Sequence, residues 1–330
     1  NGFAPQVTPK GNDKDDTFAA EKQEPVDAAQ ALEIVHGRGM SGAVTLSFKR
    51  TPEGWVMRER DDYPARQELV NETLLALGSL QSGAARTAQP KWHRALGLVP
   101  PEEFGKAIRF RVRDADDALL ADVMLGKEEA SEVAAVQQIK QLGTVKRNFY
   151  VRRTDSAQTW LTRGRLPRNA QIGAWLDPAF PSLPQEGLVE VRSGGKEGES
   201  GATEPLVQRL PDGGWNKPSA VPWLEGFMRL QPEDVSRDTA INFDSASTLH
   251  LSYDTGLTLV LENVGAATAL WTRARAFVSP VSQNSTQDAS GLQAARALAD
   301  ALNQRFNGWA LRLPASAAAQ LLVTAADFDG

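Results

Sequence analysis

Strict alternation of apolar and polar positions recurs along this chain and predicts strands. Residues 43–48 place Val44, Leu46 and Phe48 on one face, because side chains two apart share a strand face. Residues 108–113 are clearer still: Ile108, Phe110 and Val112 alternate with Arg109, Arg111 and Arg113. Pro52-Glu53-Gly54 precedes Trp55 and predicts a hairpin, since glycine takes the positive φ that such a turn needs. Two more hairpins follow. Residues 119–125 return after Asp116-Asp117 and end at Gly126, and 149–151 lead through Asp155-Ser156 to 159–161. Helical spacing is rarer. Leu69, Val70, Thr73, Leu74, Leu77 and Leu80 form one apolar face, on a helix expected to start at Asp61, Asp62 and Pro64. Residues 28–35 read as one or two helical turns, 127–142 as helix-like, and 170–180 as a short helix around Trp175-Leu176.

The second half repeats this programme. A strand at 188–191, a Gly-rich loop at 194–201 and a strand at 206–209 lead into Pro211-Asp212-Gly213-Gly214-Trp215, an echo of the segment before Trp55. Pro222-Trp223-Leu224 opens a helix. Leu249, Leu251 and Tyr253 alternate into a turn, 257–261 return, and Gly265 stands where Gly126 stood. Residues 269–277 match the strand at Tyr150. A third echo closes the chain: a helix with Leu292, Ala295, Leu298, Leu302 and Phe306, a strand opened by Gly308-Trp309, and a last helix at 314–323. The expected fold is α+β, two tandem related units of antiparallel sheet with packed helices, built as an internal duplication. The expected boundaries are a flexible tether over 1–39, a first unit over 40–180, a linker over 181–187 and a second unit over 188–330.

Composition narrows the chemistry. The chain has 330 residues and no cysteine, which removes disulfides, zinc-thiolate sites and cysteine nucleophiles. A net charge of -5 argues against a nucleic-acid partner. The charge is uneven, with 13 basic against 8 acidic residues over 106–168. Arg109, Arg111 and Arg113 share a strand face, and Arg152, Arg163 and Arg165 fall on neighbouring strands. These six are the candidate partner-binding residues, as a cationic patch for an anionic lipid, a glycan or an acidic protein. Neutralisation by Asp114, Asp116 and Glu128 is the competing and preferred reading. His36, His93 and His250 have no second ligand at helical spacing. The pairs Asp61-Asp62, Asp116-Asp117 and Glu128-Glu129 read as turn chemistry rather than as the paired acids of a glycosidase. No phosphate loop or nucleophile elbow is present. No catalytic, cofactor-binding or metal-binding residue is assigned, and the chain reads as no enzyme.

The order of Gly54-Trp55-Val56, Asp62-Tyr63-Pro64-Ala65, Leu96-Gly97-Leu98, Leu125-Gly126, Tyr150-Val151-Arg152, Trp160-Leu161 and Trp175-Leu176-Asp177 resembles a bacterial family known only as domain of unknown function 4340. The resemblance covers roughly residues 32–180 well and the second half loosely. It implies a periplasmic domain, tethered to the inner membrane by an N-terminal helix that this chain lacks, and auxiliary to an ABC transport system, including those linked with gliding motility. It carries no catalytic residues. The chain begins at Asn1 rather than Met, and the expectation is of a signal peptide, an anchor or other residues upstream. The expected function is a non-enzymatic accessory module that docks an ABC permease or an associated membrane subunit. The alternative is a binding module for a lipid, glycan or peptide in a cleft between the two halves.

Overall fold

The computed structural model describes residues 27–80, 83–129, 147–177, 187–194, 204–227, 231–266, 268–278 and 289–328. Its contacts divide the chain into two units, between Gln171 and Ile172. The first holds β1 (Ala31–Gly37), β2 (Ala43–Thr51), β3 (Gly54–Met57), β4 (Tyr63–Pro64), β5 (Ala84–Ala85), β6 (Ile108–Arg113), β7 (Leu119–Glu128), β8 (Arg147–Arg153) and β9 (Trp160–Gly164). They form one antiparallel sheet in the order β4-β3-β2-β1-β6-β7-β8-β9-β5. The second holds β10 (Leu188–Gly194), β11 (Glu204–Gln208), β12 (Asp234–Arg237), β13 (Ser247–Tyr253), β14 (Leu257–Val264), β15 (Leu270–Val278) and β16 (Trp309–Leu313). Their order is β11-β10-β13-β14-β15-β16-β12.

The two orders are one topology. In each unit a first strand (β1 or β10) pairs with its hairpin partner and with the first strand of a four-strand meander. A short strand from between them (β5 or β12) then adds to the far side of the last meander strand. The chain is therefore α+β, with two antiparallel units built alike.

Alternation explains the core of the first unit. Leu32, Ile34, Leu46, Phe48, Phe110 and Val112 all face one side and are buried. Helix α1 (Gln67–Gly78) contributes Val70, Thr73, Leu74 and Leu77, and the valine and each leucine contribute about 1.5–3 kcal/mol on burial. In the second unit β13 and β14 supply Leu249, Leu251, Leu259 and Leu261. That unit carries helices α2 (Val221–Phe227), α3 (Ala289–Phe306) and α4 (Ala315–Leu321). Helix α3 buries Ala295, Ala299, Leu302 and Phe306, whereas Leu298 of its expected apolar face is exposed.

Several expectations change. Residues 31–37, placed in the tether and read as helical up to Val35, are β1, a strand flanked by β2 and β6 whose pairing overrides local propensity. Asp61 and Asp62 do not start a helix. Both sit at positive φ, Pro64 lies in β4, and α1 begins at Gln67. The boundary after Gln171 precedes the linker read at 181–187. The turn at Ile172–Trp175 belongs to the second unit, where Gly173 packs on Pro232 and Glu233, and Asp177 pairs with Arg305. Gly126 and Gly265 are not equivalent: the first lies inside β7 and the second follows β14. Trp309 opens β16, the strand that corresponds to Trp160-led β9. The third echo is thus the end of the second unit. Residues 1–26, 130–146, 178–186 and 195–203 lie outside the described residues, and with them most of the tether, the helix-like segment, the linker and the Gly-rich loop.

Candidate functional site

The register gathers the candidate arginines as the alternation implied. Arg109 lies opposite Val35 and Met124, and Arg111 opposite Glu33 and Asp122. Arg152 lies opposite Met124, and Arg163 opposite Asn148. Directly paired residues share a face, so Arg109, Arg111, Arg113, Arg152 and Arg163 stand on the sheet face turned away from α1. Arg165 follows the end of β9 and is exposed.

Their charge is largely consumed. Arg109 donates Nε to Asp122 Oδ1 at 2.8 Å, Nη2 to Oδ2 at 2.6 Å and Nη1 to Glu102 Oε1 at 2.7 Å. Arg111 donates to Glu33 Oε1 and to the same Glu102 oxygen, both at 2.6 Å. Arg113 donates to the Asp117 carbonyl at 2.8 Å and pairs weakly with its carboxylate. Arg152 is buried, at 7% exposure. Its guanidinium donates to the carbonyls of Leu98, Arg153, Thr154 and Ser156. Burial pulls its pKa below the usual arginine value, against the attraction of Glu103. Burial tends to raise the Asp122 pKa, but hydrogen bonds from Arg109 and Thr154 outweigh it and hold the carboxyl below its ordinary value. Glu102 is lowered in the same way, burial opposing its own backbone hydrogen bond and the two arginines. Arg109, Arg111 and Arg113 are therefore neutralised, but by Glu33, Glu102, Asp117 and Asp122 rather than by the acids expected.

Three of these bonds reach a strap, at Glu102 and the Leu98 carbonyl. Residues 96–107 cross the polar face, where Leu96, Leu98 and Ala107 pack on Met124 and Tyr150. Gly126 lets the strap approach closely, since a Cβ there would sit 2.4 Å from the Leu96 carbonyl oxygen. Arg152 donates Nε to the Leu98 carbonyl at 3.3 Å, and Glu102 accepts from Arg109 and Arg111 of the sheet. The arrangement is a structural lock and has no group poised for acid–base or nucleophilic work.

The second unit carries a reversed version. Glu262 on β14 is buried and takes Arg273 on one oxygen and Arg275 on the other. Hydrogen bonds and charge from both arginines outweigh burial and lower its pKa. The other face of Arg273 covers Phe243 at 4.4 Å, beside an open depression of about 270 Å³ lined by Asp238, Thr239, Asn242, Phe243 and Asp244. His36 and His93 are buried and His250 is half-buried. His93 bonds the Ala157 carbonyl and His250 the Thr248 hydroxyl. Among the described residues no group of three or more His, Asp or Glu side chains is placed to hold a metal ion. Among them, too, no helix is long and apolar enough to cross a membrane.

One feature escaped sequence reading. β3 pairs with β2 only at 48–51. The Ser47 N–H turns outward to Glu59 at 2.9 Å. The two-residue period therefore turns the N–H and C=O groups of Thr45 and Ala43 outward too, and both residues are exposed. Among the described residues nothing bonds this edge. No side-chain pattern signals it, because it depends on where β3 stops.

A family model described as a domain of unknown function (DUF4340) matches residues 55–235, more than half of the 330 residues. No curated protein and no solved structure matches the chain.

Proposed function

Because this chain belongs to the DUF4340 family, whose description assigns no activity, we propose a function from its surfaces: it is a non-enzymatic docking module. Its partner is a membrane subunit of an ABC transport system, and it works at the periplasmic side of the inner membrane. The partner class and compartment come from the family resemblance. The observation that carries the docking mode is the open outer edge of β2 at 43–45, where Glu59 stops the ladder at Ser47. An extended partner segment adds there as a strand, main chain to main chain. The arginine face is a weaker candidate, since Arg109, Arg111 and Arg113 are already paired with acids of the same unit.

The test is a crosslinking pulldown from host membranes with the tagged full-length protein. A permease subunit is expected above a tag-only control. Thr45→Pro removes an outward N–H and is expected to abolish that capture while leaving the thermal melt close to wild type. Recovery of no permease subunit, or equal recovery by the Thr45→Pro variant, counts against the proposal.

A further inference from the structure

At the end of the first sheet opposite the β6–β7 turn, two large apolar side chains stand in solvent. Met40 is 86% exposed and Phe104 62% exposed. They lie on adjacent turns. Met40 sits at the β1–β2 connection, and the Gly39 N–H donates to the Gly105 carbonyl at 3.1 Å. Both turns are fixed. Arg38 donates its N–H to the Gly42 carbonyl at 2.8 Å, Gly105 donates to Pro100 at 2.8 Å, and Phe104 is held at φ 55. A non-glycine aromatic residue in the left-handed region is uncommon. Two cations flank the pair, Arg38 and Lys106. Both are exposed, and neither meets a carboxylate among the described residues. Glu102, nearby in sequence, is committed to Arg109 and Arg111, which leaves Glu103 as the opposing charge on these two turns.

We propose that this tip contacts the surface of an anionic lipid bilayer, Met40 and Phe104 entering the acyl boundary and Arg38 and Lys106 staying with the headgroups. Exposure and charge select this occupant. The two apolar side chains stand in solvent on adjacent turns with Arg38 and Lys106 exposed beside them, a pairing that an anionic bilayer meets with its acyl chains and its headgroups. Lys and Arg beside them keep their charge in the headgroup layer while their stems lie along apolar surface. The rigid turns reduce the ordering cost of contact. The inference does not rest on the docking of β2, which uses main-chain groups and a different partner.

The absence of cysteine makes the test clean. Met40→Cys and, as control at the opposite end of the same sheet, Leu119→Cys are labelled with a polarity-sensitive fluorophore on the full chain. Vesicles of phosphatidylglycerol and phosphatidylcholine, 1:1, are expected to shift the emission of the label at 40 to the blue and to leave that at 119 unchanged. Phosphatidylcholine vesicles alone are expected to give a shift at least five-fold smaller. In co-sedimentation, Met40→Ser with Phe104→Asn is expected to lower partitioning at least ten-fold, asparagine being suited to the positive φ. Equal shifts at 40 and 119, no shift at either, or unchanged partitioning of the double variant overturns the proposal. So does equal binding to neutral vesicles.

Discussion

β8 and β15 hold the same place in the two sheets, but their outer edges are closed by different means. β8 pairs with β9 over five positions, 147–151. β15 is nine residues long and pairs with β16 only at 270–272. Farther along, α3 takes over as cover. There Asn303 accepts from the Ala276 N–H at 2.8 Å and donates to its carbonyl at 2.6 Å, so one carboxamide stands in for a missing strand. The first unit uses the same device elsewhere. Gln67, at the start of α1, accepts from the Trp55 N–H at 2.7 Å and donates to the Trp55 carbonyl at 2.9 Å. A bare strand edge is an aggregation hazard, and a helix-borne amide closes it without another strand. What differs is redundancy. The Trp55 carbonyl also receives the Ala65 N–H, while Ala276 has no other outward partner among the described residues.

The largest expected effect tests that difference. Asn303→Leu leaves two buried backbone groups unmade and should cost about 3 kcal/mol, at roughly 1–3 per group. Gln67→Leu strands the Trp55 N–H chiefly and should cost about 1–2 kcal/mol on the same scale. Urea unfolding of both variants measures this. Equal losses would mean that α3 closes β15 by apolar packing alone. Asn303→Leu should also raise light scattering at high concentration, and Gln67→Leu should not.

The charged locks give the next contrast. Glu262 is buried and serves two arginines, so Glu262→Gln should cost about 2–3 kcal/mol, below the 3–5 of a fully buried pair because both arginines reach solvent. Its lowered pKa sets the sign. The stabilisation is present above the ordinary Glu range near 4.3 and is lost as pH falls through the lower folded value. The wild-type advantage over Glu262→Gln should therefore be flat from pH 7 to 5 and shrink below about 4. An advantage that grows on acidification would contradict the assignment.

His36 gives the first unit a pH response in a different window. It is buried between Val44 and Ile108 with Nε2 unpaired. Burial, then the charge of Arg38, lowers its pKa from 6.5 to about 4. The unfolded chain thus takes up a proton that the folded chain refuses, so stability rises with pH across that window and is lower by about 2 kcal/mol at pH 5 than at neutrality. His36→Phe should remove this slope. The gap between wild type and variant, followed by urea midpoints at pH 7, 6 and 5, should widen steadily toward pH 5; a constant gap would show that His36 does not titrate on unfolding.

What was legible follows from range. The strand at 108–113 could be read because its alternation is local and complete, and that alternation alone placed three arginines on one face. Their partners could not be read. Glu33 is 78 residues from Arg111, and Asp122 is 13 from Arg109 across a hairpin whose register a bulge adjusts. β1 was misread because Val35 and His36 interrupt its alternation, and its identity comes from neighbours on both sides. β5 and β12 have two and four residues, too few for a period to show. The Gly-Trp echoes located the repeat but mismatched its parts. Trp55 is buried in β3, whereas Trp215 is half-buried on an isolated bridge to Arg209, whose guanidinium lies over its ring. The shared strand order, not the tryptophans, carries the repeat.

The smallest effect is expected at Glu102, and it separates two accounts of the strap. Glu102 is exposed and has one oxygen between two arginines. Each arginine keeps another carboxylate when Glu102 is lost, Asp122 for Arg109 and Glu33 for Arg111. Exposed pairs are worth little, so Glu102→Gln should cost less than about 1 kcal/mol, with Glu262→Gln as the internal standard. The strap should then stay closed on Leu98 and Met124, and amide exchange at Gly105 and Ala107, whose N–H groups bond the Pro100 and Val99 carbonyls, should remain as slow as in the wild type. A loss matching that of Glu262→Gln, or fast exchange at those two amides, would mean that the strap is held by charge and that its apolar contacts follow from closure rather than cause it.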